Sequence, residues 1–333
     1  MSTLPFKQID VFTRKPFWGN PVAVVLGAAA LDTSAMQRIA AWTNLSETTF
    51  VLPPSSTAAD YRLRIFTPKQ ELPFAGHPTI GSAHAVLESG LASTRDGQLR
   101  QECLAGIIEL SVEKTETGDL IFVRAPEAKI SVLNQDAARR LTAALATPHE
   151  LKSPLRIDVG VVWIVAELAD CQMVANLQPQ LPAILELSAV HQAAGVTVFG
   201  KANDGSSSLH LRSFAPALGV AEDPVCGSGN AAVAACLIHT GSIGKYGFQY
   251  IARQGMQVGR DGQVRVSVDG AKIRVGGYAV LASKENYESI ESQRLIARLL
   301  KRSNHANDRS FAPLGFSIHM RSPVTTKILA STP

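Results

Sequence analysis

Two short stretches of the chain combine acid/base residue types with the backbone of a helix start. Residues 71–87 read ELPFAGHPTIGSAHAVL and set His77 in a Gly-His-Pro knuckle before an almost wholly apolar run. Residues 222–238 read EDPVCGSGNAAVAACLI and set Asp223, Cys226 and Ser228 around a similar knuckle. A helix N-terminus leaves amide N–H groups unpaired and carries partial positive charge, so it attracts carboxylates. Gly76 in the first stretch, and Gly227, Gly229 and Asn230 in the second, are therefore candidates to bind an anionic small molecule. The plainer reading is that these glycines only permit tight turns into buried helices, and their duplication weighs against it.

Each side chain has two readings of its own. His77 could shuttle a proton or donate to a developing oxyanion, or be a structural histidine at a helix start. Asp223 could hold a substrate amine or hydroxyl, or stabilise the helix dipole. Ser228 could donate a hydrogen bond to substrate, or cap. Glu47, in NLSETTFVL, follows a helical segment and precedes an apolar strand. Desolvation there favours a raised pKa suited to a general acid/base, against the alternative of an exposed glutamate at a strand start.

The elements that carry these residues are duplicated. RIFTPKQELPFAGHPTIGSAHAVL from Arg64 aligns with RSFAPALGVAEDPVCGSGNAAVAACL from Arg212, both opening Arg-x-Phe-x-Pro. Gly76 matches Gly227, His77 matches Ser228, and Ala75 matches Cys226. Upstream, QIDV at 8–11 corresponds to RIDV at 156–159. β-Branched segments such as NPVAVVL, TTFVL, YRLRIF, DVGVVWIVAEL and HLRSF read as strands. Few helices are evident: an amphipathic one at 34–43, and two starting near Pro78 and Asn230 and stopping near Gly90 and Gly241. The last two lack a polar face and must be buried. The expected fold is α+β, with two pseudo-symmetric domains, each a curved, mainly antiparallel sheet or barrel around a central buried helix. The expected boundaries are 1–126 and 127–283, with the last strand a candidate to return to the first domain, and an extension at 284–333 without a repeat partner. Within that extension, 285–302 is a candidate helix.

The totals narrow the function classes. The 333 residues are 46% hydrophobic, enough for two ordinary domains with a substantial core. Of 32 Lys/Arg and 28 Asp/Glu, eight and four fall from Lys284 onward, so residues 1–283 carry 24 of each. A neutral body without a run of basic and aromatic residues argues against nucleic acid. The four cysteines have no metal-ligand spacing and suit a reduced, cytoplasmic compartment. No stretch suits a membrane span or an apolar signal core. GHPTIG and GSGNAA match neither a P-loop nor a complete dinucleotide fingerprint.

Four motifs in order, GNPVAVV, NLSETTF, FTPKQELPFAGHPTIGSA and RSFAPALGVAEDPVCGSGN, together resemble the PhzF-like (phenazine-biosynthesis isomerase) family, related in fold to diaminopimelate epimerase. The resemblance runs from about Phe6 to Ala282. It implies two similar domains with the active site in their cleft, no cofactor, and a homodimer. Carried over by motif, the family's acid/base glutamate falls on Glu47, its histidine on His77, and its aspartate and serine on Asp223 and Ser228. Epimerases of this fold use one cysteine from each half, whereas here Cys226 is matched by Ala75.

The reading that follows is a cofactor-independent isomerase moving a proton within a small carboxylate-bearing substrate. The alternatives are an amino-acid racemase or epimerase pairing Glu47 with Cys226, and a binding or scaffold protein that keeps the pocket without turnover.

Overall fold

Alternating inward and outward side chains shape the strands of the computed structural model, which describes residues 4–282 apart from 149, 150, 152 and 203. The first repeat runs β1 (Phe6–Val11), β2 (Asn20–Val25), α1 (Thr33–Thr43), β3 (Thr48–Leu52), β4 (Tyr61–Phe66), β5 (Glu71–Leu72), α2 (Gly76–Glu88), β6 (Gln98–Cys103), β7 (Gly106–Thr115), β8 (Gly118–Arg124) and β9 (Lys129–Val132). After α3 (Gln135–Leu145), the second runs β10 (Leu155–Asp158), β11 (Val162–Glu167), α4 (Cys171–Asn176), α5 (Leu181–Val190), β12 (Gly195–Lys201), β13 (Leu209–Ala215), β14 (Val220–Asp223), α6 (Gly227–His239), β15 (Gln249–Gln254), β16 (Gly262–Asp269), β17 (Lys272–Gly277) and β18 (Ala279–Leu281).

The two runs pair alike. β1–β2 and β10–β11 are antiparallel, β2–β3 and β11–β12 parallel, and β4–β6 and β13–β15 parallel across the crossovers that contain α2 and α6. The equivalent strands β8 and β17 lie side by side, antiparallel, joining the repeats. Each repeat's last strand pairs with the first strand of the other: β9 with β10, and β18 with β1. This is the α+β arrangement of curved, mainly antiparallel sheet around central helices expected from the sequence.

Burial follows the strand period of two. In β4, Tyr61, Leu63 and Ile65 enter the main core while Arg62 and Arg64 point away from it. α2 and α6 bury nearly their whole circumference in that same core. α2 comes close enough to the sheet that a Cβ on Gly81 would sit 2.5 Å from Val22 Cγ1. Only glycine permits that approach.

Three helices go beyond those expected. α3, α4 and α5 cover the opposite face of the second repeat's sheet, where Leu141, Val174, Ile184 and Leu187 pack on Ile164, Ala166, Val196 and Val198. Trp163 and Val165 face the main core, so β11 is apolar on both sides and reads as an unbroken hydrophobic run. A smaller layer, Met36 and Ala40 of α1 on Val25, Phe50 and Phe66, does the same for the first repeat. The 284–333 extension, with its candidate helix at 285–302, lies outside the described residues. Among the described residues, no helix is long and apolar enough to cross a membrane.

Candidate active site

Glu47 is placed by the end of α1 and the start of β3. α1 begins on Asp32, whose Oδ1 accepts the Ala35 N–H at 2.7 Å, and ends on Asn44 in the left-handed region (φ 53°). That turn delivers Glu47 to the mouth of β3. Its carbonyl accepts from Ala23 N at 3.4 Å, and Thr43 and Thr48 hydroxyls on either side are 2.6 Å apart. Glu47 Oε2 lies 3.4 Å from His77 Nε2, with the side chains only 15% and 11% exposed. Among the described residues, neither of these two buried atoms makes a hydrogen bond.

α2 and α6 are presented by matching devices, which explains the repeated Arg-x-Phe. Arg64 on β4 grips Glu71 on β5 through both carboxylate oxygens at 2.7 and 2.6 Å, while Arg212 on β13 grips Glu222 on β14 at 2.9 and 2.7 Å. Each guanidinium also stacks on the following aromatic ring, Phe66 at 5.1 Å and Phe214 at 4.9 Å. These clamps fix the hairpins that lead into the two helices.

The helix starts differ in their caps. α2 has no side-chain cap, whereas Cys226 Sγ accepts the Gly229 N–H at 3.2 Å at the start of α6. Among the described residues, the amides of Gly76, His77, Gly227 and Ser228 make no hydrogen bond to the protein. Two pairs of free N–H groups at helix N-termini are suited to carboxylate oxygens. Gly229 and Asn230 are fully buried and serve the turn itself. A Cβ on Gly229 would lie 2.7 Å from Ser213 Oγ, and Asn230 Nδ2 donates to Cys226 O at 2.8 Å.

Asp223 joins the cluster from the second repeat. Burial pushes its carboxyl up, the facing His77 pulls it down, and Glu47 pushes it up again, so the three groups share one field. Asp223 caps no helix: its Oδ1 accepts from Val225 N and from Asn20 Nδ2, both at 3.0 Å. Gln254, wholly buried, holds the same turn by donating to Asp223 O at 2.8 Å and accepting Cys226 N at 3.0 Å. Ser228 Oγ accepts from Trp163 Nε1 at 3.0 Å and lies 3.5 Å from Cys226 Sγ. With one lone pair occupied by the indole, the hydroxyl proton is free to point elsewhere. Burial first, and the Asp223 charge second, push the Cys226 thiol up, so it is held protonated.

The structure therefore brings Glu47, His77 and Asp223 together, with Ser228 reached through Cys226. Asn20, Trp163 and Gln254 escaped the sequence reading. Only Asn20 left a signal, as part of the GNPVAVV motif.

A family model described as phenazine biosynthesis-like protein (PhzC-PhzF) matches residues 9–285. The chain belongs to this family. Among its relatives, antisense-enhancing sequence 1 of Schizosaccharomyces pombe is 44% identical over 276 residues, 81% of this chain and 92% of that protein. The trans-2,3-dihydro-3-hydroxyanthranilate isomerase of Pseudomonas aeruginosa is 33% identical over 283 residues, 82% of this chain and 93% of its own. The crystal structure of a PhzF-family phenazine biosynthesis protein from Bacillus anthracis superposes with a TM-score of 0.73 at 27% identity, covering 85% of this PhzF-family chain and 98% of that one.

Among the described residues of this PhzF-family chain, no group of three His, Cys, Asp or Glu is placed to hold a metal ion.

Proposed function

We propose that this PhzF-family isomerase takes a proton from carbon of a small carboxylate-bearing substrate and returns it to another atom of the conjugated system, with Glu47 as the group that carries it. The observation that supports this most is the Glu47–His77 pair, largely buried and 3.4 Å apart, with the relevant atoms otherwise unpaired. A buried carboxylate oxygen without a hydrogen bond is costly and is suited to receiving a proton. The C–H electrons pass into the conjugated system as Glu47 takes the proton. The same carboxyl then gives it back elsewhere, so substrate and product are isomers.

The remaining groups have supporting roles. His77 and Asp223 position the substrate and stabilise developing charge. Ser228 and the free amides at Gly76 and Gly227 anchor the carboxylate, while Gly229 and Asn230 support that anchor from beneath. The isomerase relative from Pseudomonas is named for an anthranilate derivative, a substrate of the class proposed. The two-base racemase reading is disfavoured, because the Cys226 sulfur is engaged as the α6 cap and its counterpart in the first repeat is Ala75. Assembly as a homodimer belongs to the same reading and is tested by light scattering.

Incubation with a panel of small carboxylates in deuterium oxide, that dihydroanthranilate included, tests the proposal by mass spectrometry. Deuterium on substrate or product carbon, lost in Glu47→Gln, is expected. Binding without exchange across the panel would overturn catalysis in favour of a non-catalytic binding protein.

A further inference from the structure

The connection between β1 and β2 forms one wall of a groove of about 370 Å³, whose other wall comes from β16 and Tyr278. Three cations converge on it. The guanidinium of Arg14 lies 4.5 Å from the centre of the Tyr278 ring, that of Arg265 lies 5.6 Å from the same ring, and Lys15 Nζ lies 4.1 Å from the ring of Trp18. Arg14 is further held by Thr117 Oγ1, to which its Nη1 donates at 3.2 Å. Among the described residues, none of the three cations has a carboxylate within ion-pair distance. The one carboxylate in the lining, Asp261, is already held by Arg253 at 2.5 and 3.0 Å.

Three like charges without carboxylate partners in one groove repel, and contact with an aromatic face at an exposed site offsets that only in part. The connection itself is strained. Phe12 and Phe17 both have left-handed φ, 65° and 73°, a conformation that bulky residues rarely adopt. It is nonetheless fixed, by Phe12 N–H to Tyr278 O at 2.8 Å, Asp261 N–H to Trp18 O at 2.8 Å, and Gly19 N–H to Asp10 Oδ2 at 3.1 Å. Cations held in place by rings and a pinned, strained backbone are pre-organised for an oxyanion, and guanidinium forks suit its paired oxygens.

We propose that this groove is a second binding site, separate from the Glu47 cluster, for a small polyanion carrying two or more phosphate or carboxylate groups, held by Arg14, Lys15 and Arg265. Its volume falls in the range of small-molecule sites, about 300–1,000 Å³. The site is independent of the proton-transfer chemistry, since it contains none of Glu47, His77, Asp223 and Ser228. Phosphate and carboxylate ligands share the recognising chemistry and are told apart by using both as probes.

Isothermal titration of the full chain at low ionic strength, with pyrophosphate and with citrate, provides the test. One site per chain is expected for at least one probe, weakened about tenfold or more in Arg14→Gln/Arg265→Gln and retained in Glu47→Gln. Lys15→Glu, a change at an exposed side chain, is expected to weaken it comparably. Circular dichroism confirms that each variant folds. Absence of saturable binding at millimolar concentrations of both probes would overturn the site. So would affinity unchanged in the double variant, or lost in Glu47→Gln, which would place the anion in the catalytic cleft.

Discussion

The side-chain amide of Asn20 donates to Asp223 Oδ1 at 3.0 Å and to Val225 O at the same distance, tying the start of β2 to the turn before α6. One residue of the first repeat thus orients an acidic group supplied by the second. Asn20→Ala leaves the buried Val225 carbonyl without that donor, so a loss of about 1–3 kcal/mol in urea unfolding is expected. Asn20→Asp places a second carboxylate against Asp223 and is expected to lower kcat further than Asn20→Ala. Equal turnover in the three proteins would show that Asn20 does not position Asp223.

Glu47 and Cys226 are separable by mutation. Glu47→Gln keeps the shape of the side chain and removes the proton acceptor, so turnover should fall by ~10²–10⁴. Cys226→Ser should retain most activity, because a serine oxygen also caps the Gly229 N–H. The wild-type enzyme should resist iodoacetamide. Loss of activity in Cys226→Ser, with the fold intact, would restore the two-base reading.

Asp223 makes stability depend on pH in a stated direction. Burial first, then Glu47, raises its folded-state pKa against the opposing pull of His77. A carboxyl whose pKa is raised by folding opposes the folded state above its unfolded pKa and stops doing so as pH falls. Asp223→Asn should therefore raise the unfolding midpoint at neutral pH while abolishing turnover, and the gain should shrink toward the unfolded carboxyl pKa of about 4. Parallel stability curves for the two proteins across pH 4–8 would contradict this.

The paired clamps should differ in strength. The Arg212–Glu222 side chains are 7% and 8% exposed, against 16% and 18% for Arg64–Glu71. Arg212 also donates to the carbonyls of Val174 and Leu177. Arg212→Met should cost about 3–5 kcal/mol by leaving Glu222 buried and unpaired. Arg64→Met, at the wetter site, should cost on the order of 1–3 kcal/mol in chemical denaturation.

The repeat was legible because its markers are local: Arg-x-Phe-x-Pro, an acidic residue a few positions on, and a glycine opening an apolar helix. The clamp supplies the physical reason for the recurring arginine. α4 and α5 were harder to read, since α4 spans only six residues and α5 leaves Leu185 and Val190 43% and 62% exposed despite an apolar sequence, whereas α3 does carry a local signal in its Asn134 cap and its single buried face of Ala137, Leu141 and Ala144. Asn20 and Trp163 find their partners 203 and 65 positions away, a proximity that periodicity cannot disclose. The basic groove was hidden for the same reason: Arg14 and Lys15 meet Arg265 only when β1 and β16 come to the same rim. Cys226 reads by type as a base, and only the hydrogen bond from Gly229 shows its sulfur acting as a cap.

The exchange of final strands, β9 to β10 and β18 to β1, makes the two repeats physically inseparable. A chain cut after β9 would release one fragment lacking β18 beside β1 and another lacking β9 beside β10, each with a raw sheet margin open to adhesion. Each fragment carries the strand that the other needs. Co-expressed, they should reassemble by complementation, whereas either alone should precipitate. The enzyme thus resembles two links of a chain rather than two beads on a string: Asp223 and Glu47 meet only because neither half can close without the other.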